Sequence, residues 1–279
     1  MIKAELLQDA TDQHVKRFMV DPTSIWEEKH NGDRRLIAKQ GLDINDFNRN
    51  GEPAKGLPPN VIDALRKHPL HKFVIDVEYV YAERPEKIYV FDMLHSGDDQ
   101  IVTMPLSSRK GYLHSAFDAF HADVPVVQGA GTPQEKLALI ERVMREHGEG
   151  FVMKDLTAPY RPSEGNRRWN YRFKFWKTLD AVVIGDSEKV VDGKKRDSVR
   201  LGLYMPDGTL KDICGATKKS AYVLKPNDVV EVKYLYGTGT LDIVQIDILH
   251  QRFDKAPALC TADQIVVNKN WFLKGEGKL

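Results

Sequence analysis

Apolar and polar positions along the chain follow two regimes, with a change of pattern near residue 178. In the first, helical and extended periods are mixed. An apolar stripe over residues 6–19, closed by Asp21-Pro22, predicts a short helix. Residues 25–29 and 35–40 read as extended runs either side of an Asn31-Gly32 turn, a strand–turn–strand with Lys29 at its mouth. Residues 51–59 hold three prolines and two glycines, hence a loop, and a helix follows over roughly 61–68. Residues 73–81 and 87–94, rich in Val, Ile, Tyr and Phe, predict neighbouring strands of a mixed sheet. Further helices are predicted near 111–120 and over 132–147, the latter opening with the capping sequence Thr-Pro-Gln-Glu.

Beyond residue 178 the period becomes that of short alternating strands. Residues 181–184, 199–205, 210–213, 229–236 and 241–249 predict five of them, joined by Gly, Asp and Lys turns. Five strands so closely spaced predict a small Greek-key barrel of the OB type. The fold class expected is therefore α+β, with a mixed domain over residues 1–178 and a small all-β domain over 179–279.

Composition narrows the setting. The 279 residues are 42% hydrophobic and 29% charged, as in globular proteins that bury a real core. No apolar run approaches the roughly eighteen residues of a membrane span, and charges interrupt the N-terminal stretch where a signal peptide needs an apolar block. A cytoplasmic protein with no membrane partner is expected. Cys214 and Cys260 lack metal-ligand spacing, so reduced thiols are expected rather than zinc ligands.

A net charge of +1 means that any nucleic-acid contact depends on local charge. Residues 161–177, RPSEGNRRWNYRFKFWK, answer that description, with six basic side chains against one acid and five aromatics between them. Arg167, Arg168 and Trp169 are the candidates for contact with backbone phosphates or a sugar. Alternatively, Trp169 and Phe173 anchor the domain while the arginines are solvated.

The sharpest candidate for chemistry is Glu27-Glu28-Lys29-His30-Asn31-Gly32-Asp33-Arg34. A lysine at a strand end beside a glycine can point its amine into a cleft while backbone N–H groups approach a phosphate. In isolation, a lysine before a turn is more often a solvated side chain. Its companions change that reading. The stretch KHNGDR resembles the nucleophile motif of the ATP-dependent DNA ligases, and further motifs of that family follow in order. Asn48-Arg49-Asn50-Gly51, Phe73-Val74-Ile75-Asp76-Val77-Glu78 and Tyr89-Val90-Phe91-Asp92-Met93-Leu94 come first. Glu149-Gly150-Phe151-Val152-Met153-Lys154, Arg172-Phe173-Lys174 and Arg252-Phe253-Asp254-Lys255 complete the set, which covers nearly the whole chain.

The resemblance implies a nucleotidyltransferase (adenylation) domain followed by an OB-fold domain. It implies that Lys29 attacks the α-phosphorus of ATP and becomes adenylated. Arg172 and Lys174 would then neutralise the α-phosphate, and Arg252 and Lys255 the leaving pyrophosphate. Glu149 would hold Mg²⁺, and Glu78 the ribose or a metal-bound water. Phe91 and Val152 would sandwich adenine, and Glu27 would sit at its edge. Arg34 and Arg49 would hold the ribose or the 5′-phosphate of a nick. The implied partner is nicked duplex nucleic acid, DNA before RNA, and the implied state a monomer whose second domain closes over ATP.

Three positions depart from the family pattern: Asn31 replaces an aspartate, Val77 a glycine and Arg172 a lysine. Lys177 lies near enough to take over the role of that lysine. With Asn31 in mind, an RNA ligase is the second reading, followed by an mRNA-capping guanylyltransferase. A nucleic-acid-binding protein that has lost adenylation is the reading from another class.

Overall fold

The computed structural model describes residues 3–81, 83, 85–162, 170–191, 194–218 and 223–268. Two units emerge, Met1–Phe173 and Lys174–Leu279, dividing a few residues ahead of the boundary expected at 178. Unit 1 begins with β1 (Gln8–Asp9), α1 (Asp12–Val20), β2 (Ser24–Glu28), β3 (Asp33–Gln40), β4 (Asp43–Asn48), α2 (Pro59–Lys67) and β5 (Lys72–Val80). It continues with β6 (Lys87–Ser96), β7 (Asp99–Gln100), α3 (Leu106–Phe117), β8 (Gly129–Ala130), α4 (Pro133–Arg145), β9 (Gly150–Asp155) and β10 (Tyr171–Lys174). The strands form two sheets, ordered β1-β10-β9-β2-β8 and β4-β3-β5-β6-β7.

The strand–turn–strand expected around Asn31-Gly32 is not a paired hairpin. β2 pairs with β9 and β8, whereas β3 pairs with β4 and β5 in the other sheet. Gly32 lies outside the positive-φ region that an Asn-Gly hairpin turn uses. What requires a glycine is close approach to β5. A Cβ there would run into the Tyr79 carbonyl, with the carbonyl carbon at 2.8 Å. Gly32→Ala is therefore expected to cost about 1–3 kcal/mol of stability, read as a lower urea midpoint. An unchanged midpoint would show that the chain yields there freely.

The first helix starts at Asp12, not near residue 6. Thr11 and His14 cap it reciprocally, and Gln8–Asp9 before it pairs in parallel with β10. At its other end the buried Lys136 ammonium donates to the carbonyls of Phe18 and Asp21 at 2.9 and 3.0 Å. That lysine belongs to α4, which opens on the expected cap between Thr132 and Glu135. α4 ends through His147 at φ 54°, where Gly148 N–H donates to the Val143 carbonyl at 2.8 Å. This turn delivers Glu149 to the mouth of β9.

Alternation along β5 sorts its side chains by face. Phe73, Ile75 and Val77 are fully buried in a core with Val61 and Leu65 of α2 and Leu113 and Phe117 of α3. Val74, Asp76 and Glu78 accordingly face the other way, where Val74 packs with Leu36, Leu94 and Tyr160. Val77, the departure from the family glycine, thus points into the core and away from Glu78.

Unit 2 is built of β11 (Lys177–Val191), β12 (Lys194–Tyr204), β13 (Leu210–Thr217), β14 (Val229–Tyr234), β15 (Tyr236–Gly237), β16 (Ile243–Val244) and β17 (Asp247–Gln251). Five of these make one sheet in the order β13-β12-β11-β14-β17, an OB-like half-barrel. The single strand expected over 241–249 is broken, because Leu241 and Gln245 take positive φ of 65° and 56°. Its first piece, β16, pairs with β15, and the next strand, β17, pairs with β14. No described helix is long and apolar enough to cross a membrane.

Candidate active site

The alternation of β2 decides what the Glu27-Glu28-Lys29 run does. Glu28 shares a face with Trp26, reaches Arg142 of α4 at 2.7 Å, and is structural. On that face Trp26 stacks on Phe151 (4.6 Å, 9°), and Phe151 on Phe173 (5.2 Å, 15°). Glu27 and Lys29 fall on the opposite face, with Val152 of β9 beside Glu27 in register. The Lys29 backbone N–H donates to the Gly150 carbonyl at 3.0 Å, and its ammonium meets Glu149 Oε1 at 2.8 Å. Glu149 is buried, with 3% of its side chain exposed, while Lys29 keeps 19% open. Gly150 holds φ 146°, a conformation that favours glycine.

Glu27 is 2% exposed and lies between two lysines. Lys154 Nζ approaches Oε2 at 2.6 Å, and Lys110 Nζ of α3 pairs with Oε1. Burial raises the Glu27 pKa, yet Lys110 and Lys154 more than offset it and hold the carboxyl below its ordinary range. Lys110 is the reverse case, since burial pulls its pKa down despite Glu27. No motif pointed to Lys110. Its only signal is charge on the inner face of a helix, where Leu106, Leu113 and Phe117 are also buried.

The second sheet contributes from its non-core face. Arg34 donates to Asp76 from Nε (2.9 Å) and Nη2 (2.6 Å), a bidentate pair, and from Nη1 to the Glu5 carbonyl. Asp76 is fully buried and also accepts from the Tyr160 hydroxyl at 2.6 Å. The register of β6 against β5 slips between Asp76 and Val77, whose partners are Asp92 and Val90. Phe91 is the extra residue, and this bulge turns its ring to the site, a use bulges often serve. Arg34 Cζ lies 5.1 Å and Lys154 Nζ 4.6 Å from the ring centroid. Asp92 is held by Arg109 of α3 through two contacts of 2.9 Å. Tyr89 stacks on His30, one residue past Lys29, at 3.7 Å.

Glu78 lies opposite Arg34 in the β3–β5 register. Burial pushes its pKa up to about 7, with Lys29 and Arg34 pulling it down and Glu149 and Asp76 raising it further. A carboxyl raised in the folded state binds its proton more tightly there than in the unfolded chain. Its contribution to stability is therefore complete below about pH 4.5 and lost as pH rises through about 7. Glu78→Gln is expected to remove that slope, a difference on the order of 2 kcal/mol after allowance for solvent screening. Paired unfolding curves at pH 4.5 and 8 measure it. Parallel pH profiles for the two proteins would contradict it.

The other candidates belong to different elements. Arg49 is exposed in the turn after β4, and its carbonyl accepts from the Ala4 N–H at 2.9 Å. Arg172, expected at a phosphate, meets Asp9 at 2.6 Å, because β1 and β10 pair there and bring the two side chains together. Arg167, Arg168 and Trp169 lie outside the described residues. Lys174, Arg252 and Lys255 belong to unit 2. There Lys174 donates to Gln245 at 2.7 Å and stands 5.3 Å from the Trp176 ring centroid. Lys177 donates to the Leu235 carbonyl at 3.0 Å. Arg252 and Lys255 both meet Asp180, at 3.1 and 2.7 Å.

Comparison with known proteins gives this geometry its context. Residues 82–174 match the ATP dependent DNA ligase domain. DNA ligase C of Mycobacterium tuberculosis is 24% identical over 224 residues, which cover 70% of this chain and 62% of that protein. The DNA ligase of fowlpox virus is 29% identical over 163 residues, 57% of this chain and 27% of that one. The chain thus spans less than two thirds of the length of these curated relatives.

Among solved structures, a Lig E DNA ligase, which binds DNA with a minimal scaffold, superposes with a TM-score of 0.66 at 16% identity. It covers 90% of this chain and 100% of that one. The ligase domain of M. tuberculosis LigD gives 0.53 at 16% identity, covering 93% and 98%. At such identities the likeness establishes the fold, which is that of these ligase domains, with an OB-like half-barrel in unit 2. By sequence this chain is similar to the ATP-dependent DNA ligases, and residues 82–174 match their domain.

Proposed function

We propose that this chain is an ATP-dependent DNA ligase that seals 5′-phosphate/3′-hydroxyl nicks in duplex DNA through a lysyl-AMP intermediate. The observation that carries this reading is Lys29, anchored by its backbone to β9 and held against Glu149 at 2.8 Å. In the first step the neutral Lys29 amine attacks the α-phosphorus of ATP. A P–N bond forms, the P–O bond to pyrophosphate breaks, and the amine proton is lost, with Glu149 as its nearest carboxylate. AMP then passes to the 5′-phosphate of the nick, regenerating the lysine. Finally the 3′-hydroxyl attacks that phosphate and AMP leaves.

Positioning and charge neutralisation carry most of such chemistry. Arg34, oriented by Asp76, is assigned to the ribose or the 5′-phosphate, together with Arg49. Phe91 and Val152 are assigned to the faces of adenine, and Glu27, ionised between its two lysines, to the adenine edge. Arg172 and Lys174 are assigned to the α-phosphate, and Arg252 and Lys255 to the pyrophosphate. The functional division proposed is an adenylation domain over 1–178 and an OB-fold domain over 179–279, in a monomer.

Mg²⁺ fits the donor set. Among the described residues no group of three or more His, Cys, Asp or Glu side chains converges as for a protein-only metal site. Glu78 and Glu149 nevertheless act on each other, and burial first, with Glu149 adding to it, pushes the Glu78 pKa up to about 7, a shift that a cation bound between the two would oppose. Mg²⁺ suits two carboxylates because it keeps waters and shares phosphate oxygens, and bound there it would neutralise charge on the phosphates.

Asn31, where the family pattern has an acid, favours RNA joining as the second reading. Nick sealing on a panel of duplexes with DNA or RNA at each side of the nick distinguishes them. The DNA reading expects the all-DNA nick to be sealed fastest. Preference for an RNA 3′-hydroxyl strand on an RNA template would replace it with the second.

A further inference from the structure

The two cations assigned to the leaving pyrophosphate are already engaged within unit 2, and one buried acid engages both. Asp180 lies on β11 between Leu179 and Ala181, which are buried in the unit's core, and 11% of its side chain is exposed. Its carboxylate accepts from Arg252 Nη1 at 3.1 and 3.3 Å and from Lys255 Nζ at 2.7 Å. The rest of the Arg252 fork donates to Asp254, from Nε at 2.8 Å and Nη2 at 2.9 Å. Two cations thus face two carboxylates in direct contact, and Glu231, opposite Asp180 on β14, adds its charge to Arg252.

The position of Asp180 does not depend on this ion pairing. Its backbone N–H donates to Gln264 Oε1 at 3.0 Å, and Gln264 Nε2 donates back to its carbonyl at 3.3 Å. A carboxylate carried on a backbone held in this way, among phosphate-directed donors, takes the hydrogen bonds that phosphate oxygens would otherwise take.

We propose that Asp180 is a built-in counter-ion in the pyrophosphate subsite, which a polyphosphate has to displace and which then hastens release of the diphosphate product. The inference rests on the ligase reading, from which the assignment of Arg252 and Lys255 comes. It adds a residue that weakens anion binding where the motif residues strengthen it. A site built that way favours the forward reaction over its reversal by pyrophosphate.

Asp180→Asn tests this, because the amide keeps the shape and the Gln264 clasp while removing the charge. Inhibition of enzyme adenylation by inorganic pyrophosphate is expected to tighten about tenfold, the KM for ATP to fall, and both effects to shrink in high salt. Sealing of a nick that already carries a 5′-adenylate involves no pyrophosphate and is expected to stay within about twofold.

Pyrophosphate inhibition that is unchanged or weaker overturns the proposal, as does a parallel loss in both assays, the mark of a purely structural ion pair. Should the asparagine variant not be recovered folded, Asp180→Ser, also neutral, carries the same test. If the unaltered protein takes up no AMP at all, the ligase reading is what has failed. Calorimetric binding of inorganic pyrophosphate to the two proteins then decides the role of Asp180 separately, and tighter binding by the variant upholds it.

Discussion

Lys29→Ala is expected to abolish covalent uptake of nucleotide, so that intact mass after incubation with ATP and Mg²⁺ shows one added AMP on the unaltered protein and none on the variant. The loss of overall sealing should reach a factor of roughly 10⁴ or more, because no other group can form the bond that lysine forms. Lys29→Arg should be equally inactive, since a guanidinium keeps its proton and cannot offer a lone pair. Both variants should still seal a nick that already carries 5′-AMP, because that step needs no protein nucleophile. Lys29 directly follows β2 and is anchored through its backbone, by its N–H to the Gly150 carbonyl at 3.0 Å, so removal of the side chain should leave the fold in place. A variant that still gains AMP would move the nucleophile to another residue.

Asp76→Ala carries the largest expected cost in stability. The residue is fully buried and takes three hydrogen bonds, two from Arg34 and one from Tyr160, all between 2.6 and 2.9 Å. Burial lowers the Arg34 pKa, and Asp76, Tyr160 and Glu5 together raise it by more, with Asp76 the foremost of the three, so the guanidinium leans on this partner for its place in the interior. Removing one member of such a pair strands the other, a loss of about 3–5 kcal/mol. Urea unfolding measures it. Asp76→Asn keeps the volume and part of the hydrogen bonding, and should lose less. A cost below about 1 kcal/mol for the alanine variant would mean that water reaches Arg34 and that the pair is a surface one in energetic terms.

How much of this could be read in advance depends on which force set each feature. Strands with a buried face and helices with strong caps were legible, since residues 73–81 and 132–147 correspond to β5 and α4 within a few positions. The start of α1 was not, because the Thr11–His14 cap and pairing with β10 outweigh the apolar spacing of Leu6 and Leu7. Asn31-Gly32 misled for a related reason. The dipeptide carries a local hairpin preference, but the glycine there answers a long-range approach to Tyr79 that no local pattern encodes.

The site divides along the same line. Lys29 and Glu149 were legible as motif residues, and the fold brings them together because β2 and β9 are neighbours. Glu27 could be named, but not the Lys110 that helps to ionise it, since an ion pair between a strand and a helix 83 positions apart leaves no periodic trace. Asp180 is the same case in unit 2. It lies just ahead of the strand expected over 181–184, and nothing local ties it to Arg252 and Lys255. Val77 shows the converse. It counts as a departure by motif, yet it faces the core, so it does not bear on Glu78 directly.

Single-turnover sealing by the adenylated protein tests the central claim most directly. The protein is loaded with ATP carrying a labelled α-phosphate, freed of nucleotide and pyrophosphate, and mixed with a nicked DNA duplex and Mg²⁺ but no ATP. The result expected is one nick sealed per labelled protein, with the label passing from Lys29 to the 5′-phosphate and then into free AMP. Label that stays on the protein while the nick remains open, or sealing that proceeds without loss of label, would contradict the account.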